Sequence, residues 1–152
     1  MQYWLMKSEP SEYSIDDLAR EPDKTTYWDG VRNYQARNMM RDDMKIGDRV
    51  FFYHSNCDVP GIVGIMTVVK QSYPDPTAFD ANDKHFDAKS QIDQPRWFMV
   101  DVKFNKKLKR TISLKELKQH TELDELALVR RGNRLSIMPV EKAQWDFILG
   151  LE

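Results

Sequence analysis

DRVFFYHSNCDVPGIVG, residues 48–64, holds the clearest alternation of strand and turn in the chain. Val50, Phe51, Phe52 and Tyr53 are β-formers entered through Gly47-Asp48, so the spacing predicts a strand there. His54 to Asp58 reads as a polar turn, and Pro60-Gly61 leads into a second apolar run from Ile62. A strand that ends on an aromatic and spills into polar groups beside a glycine makes a wall for a small planar ligand. Tyr53 offers a face, His54, Ser55 and Asn56 offer hydrogen bonds to its edge, and Gly61 lets backbone approach. The same residues also suit a hairpin with a hydrated loop.

Working outward, Ile62–Lys70 predicts a long strand with a bulge or tight bend at Gly64. Upstream, Asn33 caps a helix from Tyr34 to about Asp43, and Ala36, Met39, Met40 and Met44 form a core stripe. Before that, Lys24–Asn33 reads as a loop carrying Tyr27 and Trp28 ahead of an Asp29-Gly30 turn. Tyr3–Met6 is a short central strand that ends at Lys7-Ser8-Glu9-Pro10, and Ser14 with Asp17 boxes the start of a short helix.

Downstream, Gln71–Pro95 is an acidic excursion with a helical turn near Thr77–Phe79. Trp97–Phe104 alternates as a strand, Lys106–Arg110 reads as a basic turn, and Ser113 with Glu116 forms a capping box. Glu125–Val129 makes a helical turn broken by Arg130-Arg131-Gly132-Asn133. Leu135–Met138 is a strand, and Pro139 starts the last helix. Strands scattered among helices without regular alternation indicate one α+β domain over residues 1–152, in the form of a mixed barrel.

At 152 residues, with 41% apolar and 31% charged residues, the chain supports one globular core. Nothing is apolar for long enough to span a membrane, no secretory leader is visible, and the single Cys57 excludes an internal disulfide. A cytoplasmic location is the expectation. The net charge of −1 argues against bulk nucleic-acid binding, yet residues 103–134 hold ten Lys/Arg against four Asp/Glu. No phosphate loop is present. His54 and Cys57 make a poor metal pair because His85 and His120 lie far off, and Asp58 beside the thiol disfavours a nucleophile. Neither metal nor cofactor is expected.

What recurs is aromatics next to polar groups at segment ends: Trp28 with Asp29, Tyr53 with His54–Asn56, Arg32-Asn33-Tyr34, and Arg130–Asn133. Proteins that hold a single extruded base use this combination. Each member also has a plainer reading: Trp28 as a core plug, Tyr53 facing the interior, the arginines at a helix end, Asn133 in a turn.

Several blocks together resemble the EVE-domain family: KSEPS at 7–11, WDGVRNYQARN at 28–38, FFYHSN at 51–56 with PGIVG at 60–64, PRW at 95–97 and RRGNRLS at 130–136. The resemblance is collinear from Tyr3 to the last helix. It implies a PUA-like fold: a strongly curved β-barrel of five or six strands with helices around it. It also implies a non-catalytic reader of a modified base in DNA or RNA, with modified cytosine the leading candidate, and no obligate protein partner. On that reading Trp28 and Tyr53 flank the base, Ser8, Asn33, Ser55 and Asn56 touch its edge, and Lys7, Arg32, Arg130 and Arg131 meet phosphates. Related barrels also resemble amidohydrolases that use a lysine, a threonine and a glutamate. This leaves a second expectation, an enzyme on modified nucleosides with Lys7 and Glu9 and, as a guess, Thr67.

Overall fold

The computed structural model describes residues 1–152, and its centre is the strand pair that the aromatic run builds. β1 (Tyr3–Ser8) and β3 (Arg49–His54) run parallel, with Lys7 opposite Tyr53 and Ser8 opposite His54. His54 therefore completes a strand instead of opening a turn. β4 (Gly61–Pro74) pairs antiparallel with β3 and with β5 (Phe98–Ser113). A short β2 (Thr25–Tyr27) forms one edge, within what the sequence presents as loop, and β6 (Ile137–Val140) forms the other. The order is β2-β5-β4-β3-β1-β6. The two edges do not pair with each other, so the expected barrel is not closed by hydrogen bonds; the α+β class and the six mixed strands stand.

Both faces of the sheet are covered, which is why its central strands are apolar on both sides. On one face Trp4, Met6, Val50 and Phe52 pack under α1 (Ile15–Arg20) and α2 (Tyr34–Asn38). On the other, Leu5, Phe51 and Tyr53 pack under Leu117 of α3 (Leu114–Leu117) and Trp145 of α4 (Lys142–Leu149). Trp145 stacks on Phe51 with ring centroids 3.8 Å apart. Ile62 and Ile65 both face this second core although they are three apart, which a regular strand forbids. The register shift opposite Phe52 and Tyr53 resolves the conflict: an extra residue at Val63, beside Gly64, is the expected bulge.

Local signals shape the remaining elements. Ser14 and Asp17 form the reciprocal box at α1. Asn33 Oδ1 accepts from the Ala36 amide at 2.9 Å, and α2 runs on into a π-helical turn, Met39–Asp43, with Met40 and Met44 in the core. Asp48 is buried without a cation. Its carboxylate instead accepts from the amides of Gln2 and Lys45 and from the Trp4 indole, each at 3.0 Å.

Three expectations fail at strand ends. Lys106–Arg110 continues β5 and is not a turn, because β4 extends far enough to pair with it; Leu108 and Ile112 are its buried members. Pro139 lies in β6, an edge strand where a missing donor costs no ladder bond, and α4 starts later, at Lys142 behind a Glu141 cap. Ser113 accepts from the Glu116 amide, but the Glu116 carboxylate is taken by Arg110, so only half of that box forms. No helix is long and apolar enough to cross a membrane.

Candidate functional site

Because β1 and β3 are parallel, their C-terminal ends lie side by side, and two cavities open there. The larger, about 900 Å³, is floored by the end of β1 and walled by Trp28–Arg32. Ser55 lines it from beyond β3, and Asp83, Lys84 and His85 close another side. The smaller, about 610 Å³, is lined by Tyr53 and by the loop Arg130–Asn133. Lys7 belongs to both.

Trp28 and Tyr53 do not face one another. Trp28 lies in the core with Trp4 and Phe52, Tyr53 in the opposite core with Leu5 and Phe51. Neighbouring strand residues point to opposite faces, so Phe52, which meets the Trp28 indole edge-on at 5.4 Å, and Tyr53 cannot share a side. The expected sandwich of one base between the two rings is thereby corrected. Trp28, 8% exposed, walls the larger cavity, and Tyr53, 3% exposed, backs the smaller one.

Arg32 is also employed otherwise than expected. Its guanidinium donates to Asp75 Oδ2 (3.1 Å), to Thr77 Oγ1 (3.1 Å), and to the carbonyls of Val31 (3.0 Å) and His85 (2.7 and 3.0 Å). Those bonds leave little to offer a phosphate. They tie the Trp28 loop to the acidic excursion, which thereby becomes a cavity wall. Asp75 is fully buried. Burial pushes its carboxyl up, but hydrogen bonds from Thr77, the Gly30 amide and Arg32 outweigh burial and hold it below the usual carboxylate range. Gly30 sits at φ +78°, and a Cβ there would lie 2.5 Å from the His85 ring, so glycine is required at this crossing.

The remaining predicted residues divide. Ser8 lines the larger cavity, its hydroxyl donating to the Tyr13 carbonyl at 2.6 Å. Lys7 sits 5.8 Å from the Tyr53 ring centre, and burial lowers its pKa. Asn33 is spent on its helix cap, and Asn56 donates to Glu9 from a left-handed conformation (φ 51°); neither lines the larger or the smaller cavity. Gly61 admits no ligand: a Cβ there would meet the Ile112 carbonyl at 2.5 Å, so it is small for the sake of β5. Thr67 lies in mid-β4, its hydroxyl on Asn105, away from both cavities and from Lys7 and Glu9.

His54 faces α1 instead of the site. Its Nε2 accepts from the Ile15 amide at 3.1 Å, which only the neutral ring can do, and burial lowers its pKa. The folded value lies below the unfolded one, so the unfolded chain takes up the proton first. This contribution to stability is complete above about pH 6.5 and is lost as the pH falls below it. His54→Gln keeps an acceptor without a titration. It should therefore lose less Tm than the parent between pH 7.5 and pH 5.5 in thermal melts, and an equal loss would rule this account out.

Sequence reasoning missed several members of the larger cavity. Asp29 is the most informative. It makes no ion pair, and burial, then the charge of Asp75, raises its pKa. Tyr13 lines the same space with a buried, unpartnered hydroxyl, pushed up to about 12 chiefly by burial, so it stays neutral. The signal for Arg134, Leu135 and Ser136 was present in the RRGNRLS block. An aromatic wall, a half-buried carboxylate acceptor and neutral hydroxyls make a space able to hold a heterocycle and read its edge.

Residues 2–151 match the EVE domain family. Thymocyte nuclear protein 1 of Rattus norvegicus is 50% identical over 167 residues, covering 99% of this chain and 73% of the relative. The crystal structure of human THYN1 protein in complex with 5-methylcytosine-containing DNA superposes with a TM-score of 0.95 at 47% identity, covering 99% of this chain and 97% of that one. A YTH domain from Zygosaccharomyces rouxii, in complex with N6-methyladenosine RNA, shares the fold at a TM-score of 0.57 and 12% identity, over 99% of this chain and 85% of that one.

Proposed function

The chain belongs to the EVE-domain family, and from that footing we propose that it is a non-catalytic module that takes one modified base out of a nucleic-acid strand into the larger cavity. The observation that carries this reading is the pairing of Trp28 and Asp29 in one space of about 900 Å³. The indole supplies an apolar wall. The carboxylate supplies the acceptor that a cytosine amino group needs. The human relative crystallised with 5-methylcytosine-containing DNA supports modified cytosine as the base.

Binding to duplexes that differ only in one 5-methyl group tests the reading. The methylated duplex should bind more tightly by fluorescence anisotropy, and equal affinity for the two would sink it. Asp29→Asn keeps the shape but replaces a charged acceptor with a neutral amide. A hydrogen bond to a charged group is worth about 1.5–3 kcal/mol, so affinity for the methylated duplex should fall about tenfold or more. An unchanged Kd would remove Asp29 from the site.

A further inference from the structure

The smaller cavity has a composition unlike its neighbour's. Lys7, Lys118, Arg130 and Arg131 line it against one carboxylate, Asp124. Arg130 leans on Glu125 at 3.2 Å across an exposed pair, while Lys7, Lys118 and Arg131 make no ion pair. The larger cavity, by contrast, is lined by five carboxylates, Glu9, Glu12, Glu21, Asp29 and Asp83, and two of its four Lys/Arg are already paired, Lys84 with Glu12 and Arg32 with Asp75. One of only two buried side-chain polar atoms without a hydrogen-bond partner in the whole molecule belongs to the lining of the smaller cavity. It is the Asn133 Nδ2, whose own Oδ1 is occupied by the Leu135 amide. Unpaired cations around a recess, with an unspent amide donor in its wall, lack an acceptor-only, anionic partner.

The geometry points to a phosphodiester of the same strand as that partner: the base enters the larger cavity, the adjoining backbone phosphate enters the smaller, and the Lys7 ammonium stands between them. The inference rests on the modified-base reading and extends it. A nucleic acid is favoured over a free anion because Lys7 lines both spaces, so one continuous ligand satisfies both. The arrangement also gives the strand a direction across the protein, because base and phosphate sites lie on opposite sides of the β1–β3 ends. It removes Arg32, whose donors are occupied, from the expected phosphate set, keeps Arg131 in it and adds Lys118, both of them exposed.

Arg131→Gln, Lys118→Gln and the double variant test this by anisotropy over a salt series with the methylated and unmethylated duplexes. Affinity should fall for both duplexes together. The slope of log K against log salt should flatten by about 0.9 for each phosphate that the variant no longer neutralises. A parent protein that does not distinguish the duplexes would sink the base reading and this inference with it. A parent that does distinguish them, with variants that keep the full affinity and slope, would sink the phosphate site alone. Inorganic phosphate at constant ionic strength is the remaining arm. If it binds in a way that Arg131→Gln abolishes while strand affinity stays intact, the recess belongs to a free anion and the proposal fails.

Discussion

Arg32→Ala is expected to lower the free energy of unfolding by about 3–5 kcal/mol, the cost of stripping one partner from a buried ion pair. Asp75, fully buried, would keep the Gly30 and Thr77 donors but lose its cation, and the carbonyls of Val31 and His85 would lose theirs. Urea denaturation measures it. Because the pair joins the Trp28 loop to the excursion bearing His85, methylated-DNA binding should fall as well, although Arg32 itself has no donor to spare for a phosphate. Arg32→Lys should recover only part of the loss, since an ammonium cannot reproduce the planar fork that reaches Asp75, Thr77 and His85 together. A loss below about 1 kcal/mol in the alanine variant would mean that the tie is slack.

Trp28→Ala should be of comparable size, about 3–5 kcal/mol, by loss of a large buried ring. The indole packs edge-on against Phe52 and among Trp4 and Val31, so truncation opens a hole between the sheet and the cavity. Base binding should fall too, and the variant cannot by itself separate a reader's wall from a core plug, because Trp28 both belongs to the core and lines the larger cavity. Trp28→Phe separates them. It should keep most of the stability and lose part of the affinity, whereas full retention of affinity would leave the ring a structural role only.

How much of this was legible depends on the reach of each signal. The Ser14–Asp17 box, the Asn33 cap, the buried Met40 and Met44 and the bulge beside Gly64 were all readable because each is decided within a few residues. The basic run Lys106–Arg110 misled because charge density resembles a turn, and only the partner strand shows that Lys106 and Lys107 pair with Ile65 and Gly64. The candidate site was legible in its residue types and not in its grouping. Trp28 and Tyr53 both looked like walls of one space, and the alternation that puts them on opposite faces depends on the register of Phe52 against Trp28, which no local pattern records. Arg32 looked free because its partner Asp75 is 43 positions away. One wall of the larger cavity is built by such distant pairings: Arg32 holds the His85 carbonyl, and the His85 ring lies against Gly30.

The first strand is not at an edge: β1 lies between β3 and β6, and β6 is supplied by Ile137–Val140. A chain emerging from the ribosome can form the β3–β4–β5 meander early and add β1 beside β3, but the second neighbour of β1 is synthesised about 130 residues after it. Arg134–Ser136, which complete the larger cavity, arrive at the same moment. Premature termination before Arg134 therefore yields a polypeptide in which β1 is an exposed edge, paired with β3 alone, and the larger cavity lacks one wall, a species for quality control.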